Sequence, residues 1–296
     1  MVQLTQLLLS ALSLTRWLNP TVSGPDVLPW SVSAPAHTVS DSTSLHAPSK
    51  SIAIVGAGSG GIAILKTLLD LPEDVRASWD IVLYEQRRDV GGLWLPDPEP
   101  PHPPTLPETP LYPRLRTNTP HPTMTYPGFT FPPNTPLFPT HDYVWRYHAD
   151  YAKHFNLTSY INLNHTVLAA GWRGTRKDGK WVVDVARTDD APVRAGDPDV
   201  TRREFDHLII ANGHNHYPHI PHWPGEDEWL ASTPEGSRQR EIRHSIFYRY
   251  PERYADQTVV IVGGGASGRD AALQVGPLAK VCSMSLMRCI PLTDAL

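Results

Sequence analysis

The stretch Ser51-Ile52-Ala53-Ile54-Val55-Gly56-Ala57-Gly58-Ser59-Gly60-Gly61 decides the fold. Its first five residues are a continuous apolar run of strand length, and the next six read G-x-G-x-x-G. Behind the glycines, Ile62, Leu65 and Leu69 recur at helical spacing, which predicts a strand, a tight turn and a helix in immediate succession. Each glycine then has a physical task. Gly56 permits the turn, Gly58 lets the backbone approach a phosphate, and Gly61 lets helix and strand pack closely. The segment Gly56, Ala57, Gly58, Ser59, Gly60 and Gly61 thus presents amides at a helix start, where an anionic pyrophosphate is favoured. A second strand is expected over Ile81–Tyr84 and ends in Glu85. A carboxylate at that strand end suits the ribose hydroxyls of an adenosine without a 2′-phosphate. A glycine-rich turn alone carries little weight, but strand, helix and acid together make the match specific.

The same grammar recurs downstream. Thr258-Val259-Val260-Ile261-Val262 reads as a strand and Gly263-Gly264-Gly265-Ala266-Ser267-Gly268 as the turn, with Ala271, Ala272 and Val275 on the following helix. Gly263, Gly265, Ser267, Gly268 and the adjacent Arg269 are the expected contacts of a second dinucleotide. The next strand falls within Val281–Met287, offers no terminal acid, and is followed by Arg288, which suits the 2′-phosphate of NADP. Two dinucleotides in one chain point to hydride passing from a nicotinamide to a flavin.

Composition narrows the alternatives. A net charge of -4 over 296 residues lacks the basic excess that nucleic acid demands. The two cysteines, Cys282 and Cys289, lie too late in the chain to staple the fold. About half of the 31 prolines fall between Leu95 and Thr140, marking an irregular, extended segment. The run Leu7–Leu14 resembles the centre of a secretory signal but has no basic residue before it, and it is too short to span a bilayer. Localisation therefore stays open between the cytoplasm and the secretory pathway. The row His214, His216, His219 and His222 is set aside as a metal site, because Pro218 and Pro221 impose an extended path. Val167–Trp172 and Trp181–Ala186 read as a hairpin leading to a strand over Glu204–Ile210.

Together with the paired motifs, Gly91-Gly92-Leu93-Trp94 resembles the flavin-containing monooxygenases, in which such a segment borders the flavin. Leu115-Arg116-Thr117-Asn118-Thr119-Pro120, followed by Met124, Tyr126 and Phe131-Pro132, is similar to the family segment whose asparagine reaches the flavin ring and the bound NADP. Thr140 to Ala152 looks like the helix that follows, and Ala211-Asn212-Gly213 through Pro224-Gly225 looks like the linker between nucleotide units. The resemblance implies FAD and NADP as cofactors, with Gly92, Leu93, Trp94, Thr117, Asn118 and Thr119 beside the flavin. It also implies NADPH-dependent oxygenation of a nucleophilic nitrogen or sulfur through a flavin hydroperoxide, with a small-molecule substrate and dioxygen as partners. Asn118 is the expected catalytic group, a neutral amide able to donate without acting as a strong acid.

The family fingerprint before the second glycine motif is half present: His244 and Tyr248 match, while Arg238 and Arg240 stand where a Phe and a Gly are expected. Family members continue past the second motif, so the chain reads as truncated at its carboxyl end, with apolar surface expected to be left uncovered. The resulting expectation is an α/β protein with two Rossmann-type units and an inserted β segment. Residues 1–50 form a leader or signal segment, 51–213 an FAD-binding domain and 214–296 an incomplete NADP-binding domain. Two alternatives stand beside it. One is a flavoprotein reductase, which would be expected to carry a Cys-x-x-Cys pair near the flavin; the other is an FAD-binding fragment without catalysis.

Overall fold

A computed structural model describes residues 49–188, 200–233, 235–236 and 238–285. The leader with its apolar run, the 2′-phosphate candidate Arg288 and Cys289 lie outside the described residues.

Strand β1 (Lys50–Val55) is central in a four-stranded, wholly parallel sheet of order β3-β2-β1-β7, with β2 at Trp79–Tyr84, β3 at Ile161–Asn162 and β7 at His207–Ile210. Helix α1 (Ser59–Leu69) makes the crossover from β1 to β2, with a short helix α2 (Glu73–Arg76) closing it. Helix α3 (His141–His154) precedes β3. A central parallel strand needs apolar residues on both faces, and the alternation along β1 and β2 is read by two separate cores. Ile52, Ile54, Ile81 and Leu83 bury against Ile62 and Leu65 of α1 and against Val144, Tyr147 and Tyr151 of α3. On the opposite face, Ala53, Val82 and Tyr84 pack on Val183, Val185 and Phe205.

That second layer is an antiparallel sheet of β4 (His165–Arg173), β5 (Lys180–Arg187) and β6 (Val200–Phe205). The expected hairpin is present, but the single strand expected over Glu204–Ile210 is two. The chain leaves β5 at Phe205 and joins β1 at His207. Asp206 makes the switch: its carboxylate accepts from both the amide and the hydroxyl of Ser51, each at 2.8 Å, and from Lys180. Lys180 and the Ser51 donors hold its carboxyl down at about 2. The polar pair Asp206-His207 marks the change of sheet, and Asp206 makes it.

The second unit comprises a short helix α4 (Glu226–Ala231), strand β8 (Thr258–Val262), helix α5 (Ala266–Val275) and strand β9 (Val281–Ser285), which pairs in parallel with β8. Val260 and Leu273 are 64% and 75% exposed, so apolar surface of this unit is uncovered. The Pro-rich segment ties the two units together. Tyr112 buries with Tyr248 and Val275, and its hydroxyl donates to the Asp270 carboxylate on α5. Among the described residues, no helix is long and apolar enough to cross a membrane.

Candidate functional site

Both glycine turns are built alike. Gly56 and Gly263 have φ of 98° and 108°, a left-handed region that strongly favours glycine. Their amides donate to the last residue of the neighbouring strand, Gly56 to the Tyr84 carbonyl at 2.8 Å and Gly263 to that of Ser285 at 3.0 Å. A methyl group at Gly61 would lie 1.8 Å from the Gly56 carbonyl oxygen, and one at Gly268 would lie 2.0 Å from that of Gly263. Helix and strand therefore approach each other more closely than any side chain permits.

Each turn leaves unspent donors. Among the described residues, the amides of Gly58, Ser59, Gly60 and Gly61 donate to no protein group, and neither do those of Ser267 and Gly268. Such amides at a helix start are a ready anion cradle. Arg269 has its side chain exposed beside the second cradle.

The Gly91–Trp94 segment sits directly on the first turn. Its 3₁₀ helix spans Gly92–Trp94, the Gly91 amide donates to the Ala57 carbonyl at 2.9 Å, and a methyl on Gly92 would stand 2.8 Å from the Gly58 Cα. Gly92 and Leu93 also have amides without a protein acceptor, so two sets of free donors meet where Gly58 touches Gly92. The leucine side chain is exposed and that of Trp94 half-buried. This donor set fits the pyrophosphate of a dinucleotide.

Glu85 is buried at the end of β2. Its carboxylate accepts from the Ala57 amide at 2.6 Å and from the Arg87 amide at 2.9 Å. Burial raises its carboxyl above the usual carboxylate range, outweighing the two amides and the Arg87 charge. The acid expected to meet a ribose thus first fixes the glycine turn; each oxygen retains a further lone pair.

Asn118 is exposed, and its Oδ1 accepts from the Thr119 hydroxyl at 3.3 Å. The buried Thr117 is spent on the loop: its amide donates to the Pro139 carbonyl at 2.9 Å and its hydroxyl to the Thr119 carbonyl at 2.8 Å. Of the three, Asn118 is the side chain presented to solvent with an amide nitrogen that has no acceptor among the described residues.

One residue with structural control over the site, His148, carried no sequence signal of its own. His148 on α3 joins the first turn: its Nδ1 lies 2.7 Å from the Val144 carbonyl and must be the protonated nitrogen, so Nε2 accepts from the Ser59 hydroxyl at 2.8 Å. Burial pushes its imidazole down to about 4. Beside it, the Tyr126 hydroxyl donates to the Ser59 carbonyl at 2.8 Å. The half-matched fingerprint shapes a small turn: His244 Nδ1 accepts from the Ile246 amide at 3.1 Å, and the Tyr248 hydroxyl donates to Gln274 on α5 at 3.1 Å. Arg240, where a glycine was expected, donates to the Trp229 carbonyl at 3.1 Å and holds α4 in place.

The family model described as "Flavin-binding monooxygenase-like" matches residues 49–289. Among characterised proteins, the chain is similar to the flavin-containing monooxygenase FMO GS-OX5 of Arabidopsis thaliana, 30% identical over 78% of this chain and 48% of that protein. It is also similar to the flavin-containing monooxygenase ustF1 of Aspergillus flavus, 32% identical over 79% of this chain and 52% of that protein. The structure of S-allyl-L-cysteine S-oxygenase from Allium sativum is similar with a TM-score of 0.64 and 26% identity, covering 83% of this chain and 53% of the other. The chain thus spans about half the length of the relatives it matches.

Proposed function

The chain belongs to the flavin-binding monooxygenase-like family, and from that premise we propose that it holds FAD in the first glycine turn and NADP in the second, and serves NADPH-dependent oxygenation of a nucleophilic sulfur or nitrogen. The observation that carries this reading is the matched pair of turns, each with free helix-start amides, joined by a segment that touches both units. When bound, the flavin supplies the redox and oxygen chemistry, and NADPH the reducing equivalents.

The work left to the chain's own residues is binding, orientation and exclusion of water. Gly58, Ser59, Gly60, Gly61, Gly92 and Leu93 offer amides to the FAD pyrophosphate, while Ser267 and Gly268 offer theirs to NADP, with Arg269 and Arg288 as candidates for its phosphates. Asn118 offers a neutral donor to the reacting centre, so that no strong acid stands beside it. Sulfur is favoured over nitrogen as the acceptor, because a structural relative at 26% identity is an S-oxygenase.

A binding-only reading has one observation in its favour, the uncovered apolar surface at Val260 and Leu273. One experiment separates the readings. The purified chain is titrated with FAD, and NADPH consumption is then followed with and without an organic sulfide while sulfoxide is quantified. Sulfoxide formed in proportion to NADPH supports the oxygenase; FAD bound without turnover supports the binding-only chain; no FAD bound refutes both.

A further inference from the structure

We propose that Arg87 is a positioning residue of the first nucleotide site, aiming the Leu93 amide at the bound cofactor; this rests on reading that site as the seat of FAD. The side chain of Arg87 is 5% exposed, and burying a cation is costly unless all its donors are met. They are met chiefly by one short stretch of main chain. Nη1 donates to the carbonyls of Gly92 at 2.9 Å and Leu95 at 2.8 Å, and Nη2 to that of Pro96 at 3.2 Å. Nε donates to the Glu108 carboxylate at 2.6 Å, and Asp97 stands 3.7 Å from Nη2. The guanidinium fork therefore spans the exit of the turn.

The consequence follows from peptide planarity. The carbonyl of Gly92 and the amide of Leu93 belong to one rigid trans unit, in which C=O and N–H point in opposite directions. The Gly92 oxygen accepts from the Leu95 amide at 3.1 Å and, at the shorter distance of 2.9 Å, from Arg87, which adds the second hydrogen bond that fixes the plane and directs the Leu93 N–H away from the guanidinium. This amide has no acceptor among the described residues and sits in the turn whose Gly92 presses on Gly58 of the cradle. Thr109, buried, clamps the next unit by donating its hydroxyl to the Leu93 carbonyl. A lysine would keep the charge but lose the fork that reaches three carbonyls.

The test uses the full chain and FAD itself. Wild type, Arg87→Lys and Leu93→Pro are titrated with FAD by fluorescence, at a temperature where the apo melting curve shows each to be folded. Leu93→Pro removes the aimed N–H and an exposed leucine side chain, in the first turn of a short helix, and it also restrains Gly92, whose φ of 55° lies outside the extended range that a residue before proline prefers. Each variant is expected to raise the Kd for FAD on the order of tenfold or more. The visible circular dichroism of flavin bound at saturation should also change in Arg87→Lys. A residue that merely supports the fold would lower the melting temperature and leave both readings unaltered. Wild-type affinity in a folded Arg87→Lys, or in Leu93→Pro, overturns the assignment; should Arg87→Lys not fold, Leu93→Pro alone decides. Wild-type protein that binds no FAD strikes the reading of the site instead, a separate and recognisable failure.

Discussion

Acidification should weaken this fold through one histidine, and replacing His148 by Gln should remove that part of the loss. Burial holds its imidazole at about 4, against an ordinary value of 6.5, and the Val144 carbonyl that favours the charged form is too weak to compensate. The folded chain therefore refuses a proton that the unfolded chain accepts below pH 6.5. Between those values the unfolded state binds more protons, so stability falls as pH falls. One pKa unit corresponds to about 1.4 kcal/mol, and between pH 7 and roughly pH 4.5 the linkage is worth about 2.5 kcal/mol. Glutamine can accept from Ser59 and donate to Val144 as the imidazole does, but it has no proton to gain. Urea unfolding of the apo chain at fixed ionic strength, at several pH values across that window, gives the two stability curves. His141 and His244, whose imidazoles burial also pushes down, and the buried Glu85 titrate in both proteins and cancel in the difference. Wild type should lose about 2.5 kcal/mol more than the variant, whatever their offset at neutral pH. Curves that run parallel to within about 0.5 kcal/mol would show that His148 is not held neutral by the fold.

Gly61→Ala places a methyl 1.8 Å from the Gly56 carbonyl oxygen and should cost about 3 kcal/mol or more together with FAD binding, whereas Gly60→Ala, whose methyl meets nothing closer than 3.9 Å, should leave the melting temperature nearly unchanged. Equal melting temperatures for the two would contradict the close-approach argument. Asn118→Ala, at an exposed position, should alter stability by less than about 0.5 kcal/mol and retain FAD, yet yield less oxygenated product per NADPH consumed; unchanged coupling removes its catalytic role. Arg288→Ala should narrow the preference for NADPH over NADH by roughly tenfold, measured as the ratio of kcat/KM values, and an unchanged ratio discards the 2′-phosphate assignment.

What the sequence reveals here is what repeats or alternates. The strand–turn–helix corners at 51–69 and 258–275 were legible because three demands coincide in a few consecutive residues: an apolar strand, glycines at fixed spacing, and a helical stripe. The antiparallel layer was legible for the same reason, except at Asp206. There Asp206 and His207 interrupt the apolar run, but what turns the interruption into a change of sheet is a pair of hydrogen bonds to Ser51 far away in the sequence. The Pro-rich segment read correctly as irregular, but proline content says nothing about destination. Its anchoring to both units depends on Tyr126 donating to the Ser59 carbonyl at 2.8 Å in the first and on Tyr112 meeting Asp270 in the second.

The control of the site was less legible than the site itself, for a physical reason. A phosphate cradle is made of main-chain amides, and the chain announces it by omitting side chains, which is why the glycines stand out. Groups that hold such amides in place can act on the opposite, carbonyl side of the same peptide units, where any donor able to reach suffices. Arg87 holds the Gly92 carbonyl and Tyr126 the Ser59 carbonyl in this way, while Glu85 takes the Ala57 amide and His148 the Ser59 hydroxyl, and the three segments they come from meet only in three dimensions. Arg87 lies in a polar run between β2 and Gly91, where an exposed cation is the ordinary expectation, and its burial follows from the carbonyls of Gly92, Leu95 and Pro96 that converge where Gly92–Trp94 closes into a 3₁₀ turn. Sequence patterns thus find the donors offered to a ligand, whereas the direction of those donors is set by acceptors they leave behind, which only the folded chain brings within reach of an arginine.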